Sequence, residues 1–506
     1  MRKLLLFAAL ICAAPAWAEN IKLQVFHTND IHGWIMARPA AFNTENPQRL
    51  IGGAGALANA LKRYSVPGAR TLLFDAGDWF QGTPEGTFTR GKAMVDFFNA
   101  LKYDAVTVGN HDFDFGQDNL QQLIAGLNMP VVGSNVLVAA SGDRVPFLRP
   151  TIITEIAGVK VGIFALLTSS MQTLVFPKNF QGLAAADEIG WAKKTVAELK
   201  AQGADVVILL SHTGVSNENI KIRKDDKAIA AQVPGIDLIV GGHSHTALSD
   251  PVRDAANGTL IVQAGTGLTR VGRVILEIDP NTKKVVKSEG RLYDLWVDEL
   301  GEDPAALKIV QGYQGEVGSR MDVVIGTSAV ALGRERAKES SLGDWVTDCE
   351  RKYTKTQIAL QNSGGIRADL NMGPVTYREI FDIMPFDNKL VTLNMSGAQV
   401  RQVLEISVGG EHGVLQVSGL RFAYDPAAPS GQRVRDVAVG DKPLAEGGVY
   451  SVTTVDFMAV GGDGQSVFAQ GADKAFMSDS MRDVLEWCAE QYSPLQAPTM
   501  GRIRRL

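Results

Sequence analysis

The chain has 506 residues, 45% of them hydrophobic, 7% aromatic and 21% charged, a globular composition long enough for two or three domains that excludes disordered and fibrous classes. Lys and Arg number 50 against 55 Asp and Glu, leaving a formal charge of -5 without any basic block. No surface is therefore expected to condense onto a nucleic-acid polymer.

At the N-terminus Arg2 and Lys3 precede an apolar run over 4–14, and Ala16-Trp17-Ala18 supplies small residues around a cleavage point. This is the pattern of a secretory signal over 1–18, with the mature chain starting at Glu19. The run is too short to span a bilayer, and no later stretch reaches about twenty uninterrupted apolar residues. An exported protein without stable membrane insertion is expected, periplasmic or secreted. Ile11 before Cys12 is too bulky for a lipoprotein-type cleavage site. Of three cysteines, too few for a disulfide scaffold, Cys349 and Cys488 remain in the mature chain; export permits them to pair, and their separation leaves the pairing open.

From 21 to about 298, short β-branched runs alternate with longer amphipathic stretches, which is α/β sequence. The pattern predicts strands over 22–28, 71–75, 105–108, 131–132, 160–166, 205–211, 238–240, 260–263 and 272–278, and helices over 55–64, 93–101 and 187–201. Gly52-Gly53-Ala54-Gly55 lacks the spacing and the preceding strand of a dinucleotide loop, and reads as helix start and packing. Asp303, a plausible cap, and Pro304, at a first helical position, open a connector helix to about residue 320. A second α/β region follows, with a strand over 323–325, a helix over 342–354 and a strand over 358–360. The expected organisation is a signal over 1–18, a first domain over 19–300, a linker helix over 301–320 and a second domain over 321–506.

Five strand-like runs end in metal-ligand residue types: Asp30-Ile31-His32, Gly77-Asp78, Gly109-Asn110-His111-Asp112, Ser211-His212 and Gly241-Gly242-His243-Ser244-His245. The carboxyl ends of strands are where several loops can assemble one site. Carboxylates, an amide oxygen and imidazoles without thiolate suit borderline divalent ions such as Mn, Zn, Fe or Co. Five of the 7 histidines fall in these segments.

In this order the motifs resemble the calcineurin-like metallophosphoesterases. The resemblance implies an N-terminal β-sandwich with flanking helices and two divalent ions. Asp30, His32, Asp78 and His245 would hold one ion, and Asp78, Asn110, His212 and His243 the other, with Asp78 as the bridge. Such a pair holds a phosphoryl group and ionises a water near neutral pH. His111 would contact the phosphoryl or leaving oxygen, oriented by Asp114, because a carboxylate on the far nitrogen aims an imidazole and keeps it protonated. Asp112, nearer in sequence, is a rival for that orienting role.

In the second domain, Asn362-Ser363-Gly364-Gly365-Ile366-Arg367, Met384-Pro385-Phe386-Asp387-Asn388 and the segment from Asp456-Phe457 to Gly461-Gly462-Asp463-Gly464 resemble the substrate-binding domain of the periplasmic 5'-nucleotidase, UDP-sugar hydrolase and 2',3'-cyclic-nucleotide phosphodiesterase family. By that resemblance Phe386 and Phe457 would sandwich a nucleobase, Asp463 would bond the ribose hydroxyls, and Asn362, Arg367 and Arg336 would hold the base edge and phosphate. A planar ring, a diol and a dianion match stacking, a carboxylate and guanidinium forks. Two positions depart from the family pattern: Ser363 stands where Gly is usual, and Asp344, after Leu342-Gly343, adds a negative charge that would weaken anion binding if it faced the phosphate.

The expectation is an exported dimetal hydrolase releasing nucleoside and phosphate from 5'-nucleotides, with nucleotide sugars or 2',3'-cyclic nucleotides among the substrates of its relatives. One alternative is the sulfate thiohydrolase of sulfur oxidation, which resembles this family in fold and metal site and against which the paired phenylalanines argue. Another is a non-catalytic metal or nucleotide scavenger, which has no need of His111 and Asp114.

Overall fold

The structure, a computed structural model, describes residues 19–506 apart from 41, 44, 218–221, 318 and 411. The signal expected over 1–18 lies outside the described residues. Among the described residues no helix is long and apolar enough to cross a membrane.

From Leu23 onward the strand Ile21–Thr28 is buried at every position, as is the whole of Val206–His212. Parallel strands covered on both faces read as continuous apolar runs, and successive side chains enter opposite layers. Leu23 and Val25 meet Val161, Ile163 and Ile208 in a core between two sheets. Phe26 and Leu73 turn the other way, onto Phe97, Phe98 and their helices, while Val207 and Leu209 pack on Val196, Leu199 and Ile229. The result is a β-sandwich of two six-stranded sheets with helices outside.

The first sheet runs Val285–Asp294, Arg270–Ile278, Ile21–Thr28, Arg70–Asp75, Ala105–Thr107 and Val131–Val132, with the last four parallel. The second runs Val252–Arg253, Leu260–Val262, Leu238–Gly241, Val206–His212, Val159–Leu167 and Thr151–Ile156, its middle four parallel. The outer strands Thr151–Ile156 and Val285–Asp294 escape the sequence reading because they are half-exposed antiparallel edges, where charged residues interrupt the apolar run. The Gly-rich stretch is the start of the helix Gly53–Arg63, with Gly52 and Gly53 at φ 85 and 88.

Asp303 caps the helix Pro304–Val317 by accepting the N–H groups of Ala305 and Ala306 at 2.9 and 3.0 Å. The helix ends at Val317, short of residue 320, and a 3-10 turn Ser319–Asp322 follows. Ala306, Val310 and Tyr313 bury into the first core, so the connector is anchored on the N-terminal side.

The C-terminal region has its own core around a five-stranded sheet ordered Gln416–Ser418, Ile358–Gln361, Val449–Val455, Lys389–Ser396 and Ala472–Ser480. The helices Ser341–Thr354 and Met481–Gln491 are joined by a disulfide between Cys349 and Cys488, whose Cα atoms are 5.8 Å apart and 139 residues distant in sequence. Closing so long a loop restricts the unfolded chain. The double variant Cys349→Ala, Cys488→Ala is expected to lose about 2–5 kcal/mol of stability, read by denaturant unfolding without reductant; an unchanged midpoint would count against a formed bond.

Candidate active site

The five motif-bearing segments leave the strands at one rim, and their backbones are bent there. Asp30, His32, Asp78, His243 and His245 have φ values of 49, 52, 61, 72 and 56. A side chain in the left-handed region costs about 1–3 kcal/mol and persists only where the surroundings over-determine it, characteristically at functional sites. Two glycines permit the crowding. A Cβ on Gly77 would lie 2.6 Å from the Gly109 nitrogen, and one on Gly242 would lie 2.8 Å from the Ala76 carbonyl oxygen.

Asp30, His32, Asp78 and His245 each present a donor atom within 4.8 Å of the others. Nε2 of His32 is 3.0 Å from Nε2 of His245 and 3.7 Å from Oδ2 of Asp78, and Nε2 of His245 is 3.5 Å from Oδ1 of Asp30. Donors held at about 2.0–2.1 Å by a tetrahedral ion stand about 3.3 Å apart, so this spacing fits a ligand shell. His32 Nδ1 donates to the Gln81 carbonyl at 2.8 Å, and His212 Nδ1 to the Ala76 carbonyl at 2.7 Å. Each bond turns the Nε2 lone pair inward. His212 Nε2 is buried without a hydrogen-bond partner and lies 3.2 Å from Asp78 Oδ2, so one carboxylate oxygen is approached from both sides. His243 Nδ1 is 2.9 Å from Asn110 Oδ1, and its ring centroid is 5.1 Å from that of His212. The other six candidate ligands therefore gather around Asp78.

Burial opposes the Asp78 carboxylate, but His212, His111 and His32 hold it well below the usual range. Burial lifts Asp30 to about 7 against the pull of His212, with Asp78 adding repulsion. The imidazoles of His32, His243 and His245 are pushed well below their ordinary value, first by burial and then by neighbouring positive charge. His212 goes the other way: burial opposes its charge, but Asp78 and then Asp30 raise its imidazole to about 10. Carboxylates among imidazoles are a donor set for divalent cations, which bind in place of that proton.

His111 is placed differently. Its Nδ1 is 2.8 Å from Asp114 Oδ2, its backbone N–H donates to Asp78 Oδ1 at 2.9 Å, and its ring is 5.3 Å from that of Phe386. Asp112 is fully buried and accepts the N–H groups of Gly109, Asp78 and Trp79 at 2.7, 3.0 and 2.9 Å. It shapes two site loops, and its partners leave the His111 ring to Asp114.

Between the two domains lies a cavity of about 420 Å³ lined by Asn110, His111, His243 and His245 on one side and by Arg336, Asn362, Arg367, Phe386, Phe457 and Asp463 on the other. Asn362 Nδ2 donates to Asp463 Oδ2 at 2.8 Å, and Asp463 has φ 52. Arg367 Nη2 donates to His32 Nε2 at 2.7 Å, so the second domain touches the metal-ligand cluster directly. Gln81 Nε2 also donates to the Pro385 carbonyl at 3.1 Å. Phe176, whose ring is 5.8 Å from that of Phe457, and Lys178 line the cavity too. They sit in a motif-free loop of the first domain, where no sequence signal distinguishes them.

Ser363 Oγ donates to the Arg336 carbonyl at 3.1 Å, tying two parts of the cavity wall. Asp344 does not line the cavity, so the concern that its charge opposes a phosphate is removed. It is fully buried in the first turn of Ser341–Thr354, 3.7 Å from Arg502 Nε. Burial lifts its carboxyl to about 8, with Arg502 opposing. In the unfolded chain the group ionises near 4, so between about pH 4 and pH 8 the folded state holds a proton that the unfolded state has lost, and stability falls as pH rises. Asp344→Asn should abolish that slope. Thermal midpoints at pH 5 and pH 8.5 test it, and equal differences from the parent at both would sink the assignment.

Residues 23–247 match the family Calcineurin-like phosphoesterase, and residues 324–470 match the family 5'-nucleotidase, C-terminal domain. The snake venom 5'-nucleotidase of Crotalus adamanteus is 28% identical over 512 residues, covering 91% of this chain and 85% of that protein. The solved structure of a 5'-nucleotidase precursor from Thermus thermophilus aligns with a TM-score of 0.87 at 30% identity, over 96% of this chain and 99% of that one. The sulfate thiohydrolase SoxB, also from Thermus thermophilus, aligns with a TM-score of 0.83 at 19% identity over 96% of each chain, a likeness of fold alone. With a donor cluster for metal in its first domain and the matching second domain facing that cluster, the chain belongs to the 5'-nucleotidase family of metal-dependent phosphoesterases.

Proposed function

We propose that this protein is an exported hydrolase that uses two divalent cations to release nucleoside and phosphate from 5'-nucleotides. The observation that carries the reading is the shared cavity: candidate metal ligands and His111 form one wall, and Phe386, Phe457 and Asp463 form the facing one. A base needs an apolar slot and a phosphate needs cations, and both are met within one nucleotide's reach. Bound at the Asp78 cluster, Mn, Zn, Co or Fe would neutralise phosphoryl charge and acidify a water. His111, aimed by Asp114, donates to the phosphoryl or leaving oxygen. Arg336 and Arg367 offer guanidinium forks to the phosphate. Asn362 holds one oxygen of Asp463, and the other, 3.8 Å from His412 Nδ1, is the one offered to the ribose hydroxyls. The signal-like N-terminus and the Cys349–Cys488 bond both favour an oxidising compartment outside the cytoplasm.

Stacking is worth roughly 1 to 3 kcal/mol per base, about five- to 150-fold in affinity, and only a substrate with a base collects it. Phe386→Ala or Phe457→Ala should raise KM for AMP or UMP by that factor and leave p-nitrophenyl phosphate nearly untouched. Equal losses on both substrates would make these rings core residues. The reading as a whole is tested by phosphate release from a nucleotide panel after chelation and add-back of single metals. Inertness toward every nucleotide combined with thiosulfonate hydrolysis would favour the thiohydrolase alternative.

A further inference from the structure

Three phenylalanines line the cavity between the domains, Phe386 and Phe457 from the second domain and Phe176 from the first. Two rings that stack on a base set the thickness of its slot but leave the depth open, because their planes run along the base. Only a group that crosses those planes limits how far the base enters. The Phe176 ring stands at 77° to that of Phe457, with centroids 5.8 Å apart, an edge-to-face arrangement that aromatic pairs favour. It is therefore placed to meet the rim of a base and not its face.

Phe176 has no part in the packing of either domain. Val175 before it and Phe180 after it are buried in the first core, and Phe457 packs against the second. Among the described residues Phe176 belongs to neither and is half-buried. A large apolar ring kept out of the core and set against a cavity is free to contact a ligand.

The segment that carries it is anchored on the turn that carries His111. Asn179 Nδ2 donates to the Asp114 carbonyl at 2.7 Å, and the Phe180 ring stands edge-on to Phe113 at 5.1 Å. Gln117 Nε2 donates to the Gln181 carbonyl at 2.9 Å. On its other side the short helix Met171–Leu174 packs against the turn Gly462–Gly464, which holds Asp463. His111, Asp463 and Phe176 therefore keep a set spacing, matched in turn by the phosphate, the ribose and the far rim of a base.

We propose that Phe176 is the end wall of the base slot and determines the size of base that the enzyme accepts. The inference rests on the nucleotidase reading and deepens it. A purine reaches the wall with its six-membered ring, the part furthest from the ribose, and a pyrimidine, smaller by a fused ring, stops short.

The test uses the metal-loaded enzyme with Phe176→Ala and Phe176→Trp. AMP, UMP and ethenoadenosine monophosphate, whose extra fused ring extends the far rim of the base, are compared by kcat/KM. p-Nitrophenyl phosphate, which has no nucleobase, reads the metal site by itself. An edge-to-face contact corresponds to about two- to twelvefold in affinity, so Phe176→Ala should raise KM for AMP by that factor and for UMP by less. Relief of the overpacking that the longer base meets is worth about five- to 150-fold, and the ratio of kcat/KM for the etheno compound to that for AMP should rise accordingly. Phe176→Trp should lower that ratio. An unchanged ratio in both variants overturns the proposal, as does an equal loss on every substrate including p-nitrophenyl phosphate, which would make Phe176 a structural residue. Parent hydrolysis of AMP is measured first, and its absence defeats the nucleotidase reading. Calorimetric binding of adenosine and ethenoadenosine to the parent and both variants then reads the wall directly, and an unaltered affinity ratio overturns it.

Discussion

Asp78→Asn is expected to release both cations and to lower kcat/KM by about a thousandfold or more. Oδ2 of this carboxylate faces His32 at 3.7 Å and His212 at 3.2 Å, and its other oxygen accepts the His111 N–H at 2.9 Å, so an amide there removes the charge that both ligand sets share. A metal ion contributes several kcal/mol of transition-state charge stabilisation, and each 1.36 kcal/mol is tenfold in rate. His212→Ala, which removes a ligand from one set only, should cost less and leave the Asp30, His32 and His245 set able to bind. Metal analysis by mass spectrometry after desalting separates the cases. Two ions retained per chain in Asp78→Asn would show that the bridge is misassigned.

His111→Ala should lower kcat by about a hundredfold or more, the usual size for losing a general acid or an oxyanion contact, with metal content unchanged. The prediction follows from where its two nitrogens go. Nδ1 is taken by Asp114 at 2.8 Å, and the ring lines the substrate cavity between the Asp78 cluster and Phe386. Asp114→Asn should act through the imidazole, reducing kcat less than loss of the ring itself and shifting the pH profile of kcat, which a purely structural role would leave in place. Loss of a cation from His111→Ala would make it a ligand instead.

The clustering of the candidate metal ligands was legible in the chain because its signal is local. A buried parallel strand is a continuous apolar run, its end is a sharp turn, and Asp30, Asp78, Asn110, His212 and His243 each follow such a run within a few residues. The cap at Asp303 was readable for the same reason, since a capping side chain bonds backbone groups two and three residues away. Edge strands such as Val285–Asp294 were not, because half-exposed positions accept charged residues and the alternation blurs.

What the sequence by itself determined is which residue types end which strands, and hence the candidate ligands, and the family, whose two regions follow one another along the chain. Only the tertiary structure decided between Asp112 and Asp114, since the choice depends on which backbone amides Asp112 meets across 33 and 34 residues of chain. It also turned Asp344 inward, joined Cys349 to Cys488, and brought Phe176 against Phe457. These are contacts between segments distant in sequence, and their geometry is set by how whole sheets and helices pack, a quantity that no local pattern of residues encodes.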